Sequence, residues 1–214
     1  MKQAVAWVRT SVGVLVGSMA VVGCGTTTSE KPTPPFSAPP ADCAPVQEVG
    51  NSSVSSFAGR LYEPSLEFRS ERPEQEFAKV LTCYSAYVGD GQLVAGDADP
   101  RAATVYITIA VRQKDSFSGD DVVDETKRSF ASYRDQLPRP AKIIAGVGND
   151  AYVTNEATDT DARATVDFRV DNVTVQVRLN KTYAQRPTPQ HESSVESDAV
   201  SLARSLAAGV ATFM

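Results

Sequence analysis

Residues 162–179 constrain this chain more than any other stretch. Ala162, Ala164, Val166, Phe168 and Val170 alternate with polar residues, and after Asp171-Asn172 the alternation resumes in Val173, Val175, Val177 and Leu179. A two-residue turn at Asp171 and Asn172, both tolerant of positive φ, sets Val170 opposite Val173, Phe168 opposite Val175 and Val166 opposite Val177. Every apolar side chain then shares one face, while Thr165, Asp167 and Arg169 lie with Arg178, Gln176 and Thr174 on the other. A third segment keeps the same period: Ala103, Val105, Ile107, Ile109 and Val111 against Thr104, Tyr106, Thr108 and Arg112. Residues 81–88 are rich in strand formers, and residues 65–70 and 142–145 are weaker strand candidates.

Helical spacing replaces alternation in two places. Between residues 120 and 137, Val122, Val123, Thr126, Phe130, Tyr133 and Leu137 recur every three or four positions, with Ser118 and acidic residues before them and Pro138 after. The last segment opens on Ser193-Ser-Val-Glu196, a capping-box pattern, and carries the stripe Val195, Ala199, Leu202, Leu206, Val210, Phe213. Strands and helices interleaved in this way predict an α+β domain: an antiparallel sheet of about five to seven strands packed with two amphipathic helices.

The amino terminus reads as an address. Lys2 and Arg9 precede an uncharged run at residues 11–23, which is too short for a bilayer span of about 20 apolar residues and suits a secretory signal. Val21-Val22-Gly23-Cys24 resembles the lipobox of bacterial lipoproteins. That resemblance implies cleavage before Cys24, a diacylglycerol on its thiol, and acyl chains such as palmitate holding the protein at the membrane surface. Residues 25–42 contain five prolines and read as a tether with polyproline character, reaching up to about 55 Å from the lipid. The expected division is a signal peptide at 1–23, lipidated Cys24 and tether at 24–42, and one α+β domain at 43–214.

Charge and cysteine usage agree with this address. The chain holds 21 Lys and Arg against 26 Asp and Glu, a net charge of −5. Without Lys2 and Arg9 the balance is 19 against 26, or −7, so a basic footprint for nucleic acid is lacking. Of three cysteines, lipidation of Cys24 leaves Cys43 and Cys83, expected to form one disulfide rather than to stay as buried thiols or hold a metal.

Motifs that invite chemistry are answered by plainer readings. Gly146-Val-Gly-Asn-Asp-Ala151 matches the spacing of a dinucleotide fingerprint, but the residues after it hold turn formers where the fingerprint needs a helix. His191 is the one histidine, and no activated serine of the G-x-S-x-G kind accompanies it. Asp97, Asp99, Asp120, Asp121, Asp159 and Asp161 lack EF-hand spacing, so no metal site and no cofactor are expected. Asn51-Ser-Ser53 and Asn172-Val-Thr174 match glycosylation acceptors by chance. The feature with functional character is the polar sheet face: Tyr106, Thr108, Arg112, Arg169, Gln176 and Arg178 on neighbouring strands. Tyr106, Arg112, Arg169 and Arg178 are the candidate binding residues, a platform for a small anionic or sugar-like ligand or for a protein, unless the face is simply solvated or covered by residues 44–70.

Taken together, the lipobox, the Thr/Pro tether, Cys43 opening the domain, Cys83-Tyr-Ser-Ala-Tyr, the Gly146 motif, the hairpin and the closing helix resemble an actinobacterial family of cell-envelope lipoproteins whose domain has no assigned function. Where that family carries Trp near its second Cys, this chain has Tyr84. The resemblance implies a sheet-and-helix module of PsbP-like or LpqN-like type that binds partners or ligands and is not an enzyme. The expected function is therefore a membrane-anchored, extracytoplasmic, non-enzymatic accessory module for an envelope protein or small ligand. Two alternatives are a carrier of a lipid or small molecule between sheet and helices, and a hydrolase built on carboxylates such as Asp167 and Glu156.

Overall fold

A computed structural model describes residues 33–89, 99–113 and 121–214. The expected signal peptide, Cys24, residues 25–32 of the expected tether, Asp97, Ser118 and Asp120 lie outside the described residues. One seven-stranded, wholly antiparallel sheet organises the rest, with β1 Arg69–Glu71, β2 Ala78–Val88, β3 Ala102–Arg112, β4 Lys142–Ile143, β5 Asp150–Ala157, β6 Asp161–Val170 and β7 Val173–Thr182. The spatial order β1-β2-β3-β7-β6-β5-β4 joins two meanders through the β3–β7 pair. Three helices complete the domain: α1 Ala44–Ala58, α2 Val122–Asp135 and α3 Pro189–Phe213.

The hairpin forms in the expected register, Val170 with Val173, Phe168 with Val175 and Val166 with Val177, and Asp171 takes the positive φ of 52° that such a turn requires. Its apolar face continues across β3 (Val105, Ile107, Ile109, Val111) and β2 (Leu81, Cys83, Tyr87), all buried. α3 lies across β5, β6 and β7 on this face, with α1 beside it over β3. The helices approach closely at glycines: a Cβ on Gly209 would stand 2.6 Å from Val49 Cγ1, and one on Gly50 would stand 2.9 Å from Leu202 Cδ1. The Cys43–Cys83 disulfide, S–S 2.09 Å, ties the start of α1 to the middle of β2.

Three local expectations need correction. The described residues hold three α-helices, since residues 44–58 form α1, and this helix covers the apolar face rather than the polar one. The last helix starts at Pro189, capped by Thr188, four residues before the Ser193 pattern. Thr188 accepts from the His191 backbone N–H at 3.4 Å, and His191 Nδ1 accepts from the Thr188 N–H at 3.2 Å, so histidine stands where a capping box usually has Glu or Gln. The third concerns residues 152–157, where the turn formers argue against a helix but signal no strand either; these residues belong to β5 and pair along β6.

The Gly146 motif turns into β5 and not into a helix. Gly146 and Gly148 have φ of 74° and 54°, and the Asn149 N–H donates to Arg169 O at 2.7 Å, docking the turn on the hairpin. Residues 36–42, counted with the tether, lie against the domain. Phe36 is held by Asn172, while Lys79 and Gln113 both donate to Ser37 O at 3.2 Å. Among the described residues no helix is long and apolar enough to cross a membrane.

Candidate functional site

The second face of the sheet is polar because alternate residues of the same strands must point away from the core. α2, which carries the chain from β3 towards β4, covers part of this face. Asp121 caps its start by accepting from the Val123 N–H at 2.8 Å. Phe130 packs on the Tyr152 ring with centroids 5.1 Å apart, and Glu125 forms an ion pair with Arg112. The helix thereby divides the face into a covered half and an open half.

On the open half Tyr106 stands opposite Arg178 on the neighbouring strand. Tyr106 stacks on Tyr84, centroids 5.1 Å apart and planes 22° from parallel, and Arg69 lies 5.8 Å above the Tyr84 ring. Tyr106 is 39% exposed. The other two arginines of the expected platform are elsewhere. Arg112 is held by Glu125 and also donates to Ser129 Oγ at 3.2 Å. Arg169, only 5% exposed, donates twice to Asp150 Oδ2, at 3.1 and 2.7 Å, and to Asp171 O at 3.0 Å. It clamps β5 to the hairpin turn. The four residues share a face without forming one surface.

Between α2 and the sheet lies a cleft of about 540 Å³. Thr108 and Ala110 of β3, Thr174 and Gln176 of β7, Asp167 of β6 and Tyr152 of β5 form its floor, and Phe77, Phe130 and Tyr133 supply aromatic walls. Asp167 accepts from Gln176 Nε2 at 2.9 Å. Surrounding protein atoms push its carboxyl up to about 6 by desolvation, against the lowering pull of the Gln176 hydrogen bond, Arg178 and Tyr152. The Tyr152 side chain is 1% exposed, and its buried hydroxyl has no hydrogen-bond partner among the described residues. Burial, followed by the charge of Asp167, raises its pKa far above the ordinary tyrosine value. A deep carboxyl and an unanswered hydroxyl thus meet in a partly apolar recess.

Beyond its place on the polar face, Asp167 was visible in the sequence as one member of a conceivable carboxylate pair with Glu156. Glu156 stands opposite Arg163 and bonds it at 3.2 Å, four residues along β5 from Tyr152, the residue opposite Asp167. That spacing is roughly 13 Å of strand, beyond the reach of the usual paired-carboxylate arrangement of about 10 Å or less. Among the described residues no three His, Cys, Asp or Glu side chains gather as a metal site. His191 stacks on Tyr183, centroids 4.4 Å apart, in keeping with its structural reading.

A second hollow, about 1040 Å³, lies between the end of α1 and β2. Its charged groups are already engaged, Arg60 with Asp99, Lys181 with Asp198 and the Phe57 ring, and Glu63 with the N–H and Oγ of Ser65. The α2 cleft is therefore the stronger candidate site.

Comparison with protein-family models, with curated proteins and with solved structures gives no match to this chain.

Proposed function

We propose that this protein is a lipoprotein of the extracytoplasmic membrane face, anchored through Cys24, whose domain is a non-enzymatic binding module for a small ligand. The observation that carries this reading is the cleft between α2 and the sheet. Its volume of about 540 Å³ falls in the range of small-molecule sites, about 300–1,000 Å³, and it combines aromatic walls with a few inward polar groups. The site offers hydroxyls, an amide and a deep carboxyl but no serine–histidine pair, which favours holding a molecule over transforming it. The lipid and the tether, proposed on the lipobox resemblance and the proline-rich segment, would keep such a module near the membrane.

A carrier with its cargo between the sheet and the α1–α3 layer is less well supported. Val46, Val54, Phe57, Leu202 and Leu206 fill that interior and are buried, so the α2 cleft is the place for cargo too. The test is native mass spectrometry of the full-length chain, extracted from its own membrane in mild detergent. The expected spectrum shows the lipid mass, absent from a Cys24→Ser variant, and an added mass of metabolite size that Phe130→Ala removes. A chain that carries lipid and never a small molecule, even when challenged with envelope extract, would overturn the ligand-binding reading.

A further inference from the structure

This inference rests on the cleft being a ligand site and concerns what the site selects. Three charged side chains line it: Arg112, Glu76 and Asp167. Arg112 is neutralised by Glu125, leaving the lining net negative. Asp167 has no ion-pair partner among the described residues, and one of its oxygens, Oδ1, is taken by Gln176. Arg178 lies near enough to favour the ionised carboxyl but makes no ion pair with it, and its Nη2 donates to Gln176 Oε1 at 3.1 Å. The Tyr152 hydroxyl, buried and in no hydrogen bond of normal geometry although it acts on Asp167 closely enough to lower that carboxyl's pKa, lies in the same recess, and Phe130 packs over the Tyr152 ring. A buried hydroxyl without a partner is uncommon in a folded protein and marks a place where a polar ligand atom fits. A neutral ligand would satisfy the hydroxyl but leave the carboxylate, in a poorly solvated place, with no positive charge beyond an Arg178 that is not ion-paired to it. An anion would meet Asp167 as a like charge. An ammonium answers both groups, because its N–H donors fit a carboxylate oxygen and a phenol oxygen together and aromatic faces attract cations.

We propose that the α2 cleft binds a small organic cation, an ammonium on an apolar body, with the nitrogen between Asp167 and the Tyr152 hydroxyl and the body against Phe130 and Phe77. The cation donates to Asp167 Oδ2, and Thr108 and Thr174 stand on the same floor as further hydroxyl acceptors.

The experiment is isothermal titration of the full-length chain in detergent at pH 7.5, with empty micelles as blank, using 2-phenylethylammonium and its neutral analogue 2-phenylethanol. The ammonium is expected to bind at least about tenfold more tightly than the alcohol, since charge-assisted hydrogen bonds are the strong ones. Asp167→Asn keeps shape and the Gln176 bond and should erase that preference, leaving alcohol binding within about threefold. Tyr152→Phe keeps the ring and should weaken the ammonium more than the alcohol, whose own hydrogen bond to that hydroxyl is neutral, which serves as the test if the Asn variant fails to fold. Equal binding of the two probes, or an ammonium affinity untouched in both variants, would overturn the cation assignment while leaving the cleft a ligand site. No binding of the ammonium would also overturn it, and only a bare native mass spectrum besides would remove the ligand-binding reading itself.

Discussion

Asn172 and Phe36, 136 residues apart, are joined through both polar ends of one side-chain amide. Asn172 Nδ2 donates to Phe36 O at 2.8 Å, and Asn172 Oδ1 accepts from the Phe36 N–H at 3.2 Å. The same Nδ2 also donates to Arg112 O at 3.2 Å, and the Asn172 side chain is fully buried. A turn residue of the hairpin thus fixes the segment that leads into α1 against the sheet.

Asn172→Ala should strip partners from two carbonyls and an N–H at once. Each buried polar group left unpaired costs about 1–3 kcal/mol, and water can reach the partly exposed Phe36, so the expected loss of stability is about 2 kcal/mol. Limited proteolysis gives a second readout. In the wild type, residues 36–42 should resist cleavage, whereas in the variant they should be cut at rates near those of an exposed segment. Unchanged protection would mean that the contacts of Lys79 and Gln113 with Ser37 suffice to hold the segment.

The disulfide closes a loop with a sequence separation of 40, for which the chain-entropy model gives about 4 kcal/mol. Cys43→Ser should therefore lower the melting temperature by about 8–16 °C at the sensitivity typical of a domain this size. Both sulfurs belong to buried residues, Cys43 at 2% and Cys83 at 0% exposure, so reductant should act slowly on the folded protein at 25 °C and quickly near its melting point. Differential scanning calorimetry with and without reductant checks both statements. A variant that melts with the wild type would remove the assigned role of the bridge.

Asp167 gives the domain an unusual dependence on pH. Its carboxyl titrates near 4 in an unfolded chain and at about 6 in the folded one, burial being the main cause. The folded state binds that proton more tightly, so ionisation destabilises the fold. The penalty is absent below about pH 4, grows between pH 4 and 6 and is complete above 6. Asp161, held low mainly by Thr182, and Glu196, held low mainly by Lys142, act in the opposite sense and lose stabilisation as the pH falls below about 4. Urea unfolding between pH 4 and 8 should show Asp167→Asn more stable than wild type by on the order of 1–3 kcal/mol at pH 7.5, the two converging towards pH 4. A gap independent of pH would show that desolvation of this carboxylate is not its origin.

What could be read in advance followed local signals, and what could not depended on distant partners. The β6–β7 register follows from alternation and a two-residue turn, both contained in eighteen consecutive residues. The stripe of α3 was equally plain, although its start was masked: Thr188-Pro189 is a cap followed by proline at the first helical position, but His191 supplied none of the acidic signal expected three residues on. α1 was hidden because its sequence includes Pro45, Gly50 and four serines, poor helix formers. It is stabilised instead by packing Val46, Gly50, Val54 and Phe57 on the sheet and α3. The cleft was illegible for a similar reason. Tyr152 and Asp167 become neighbours only once β5 pairs with β6, and Phe130 reaches them only because α2 crosses the polar face. The platform read from Tyr106, Arg112, Arg169 and Arg178 identified a shared face correctly. It could not reveal that Asp150 and Glu125 had already claimed two of the arginines.

The two glycines of the Gly146 motif offer the sharpest test of why that motif exists. Both have positive φ, 74° at Gly146 and 54° at Gly148, so alanine at either carries a left-handed penalty of about 1–2 kcal/mol. Their surroundings differ. A Cβ on Gly146 meets nothing within 4 Å, whereas one on Gly148 would stand 2.4 Å from Arg169 O, a backbone atom fixed in β6 and already accepting from Asn149. Gly146→Ala should therefore cost about 1–2 kcal/mol and leave the fold intact. Gly148→Ala must in addition push the turn off the hairpin, breaking the Asn149 bond, the Asn149 Oδ1 contact with the Asp171 N–H at 2.8 Å and the burial of Val147, for a total loss of about 4 kcal/mol or more. Urea denaturation of the two variants separates these outcomes. Equal costs would mean that the motif's second glycine is needed only for its φ, and that the close approach of the turn to Arg169 contributes nothing.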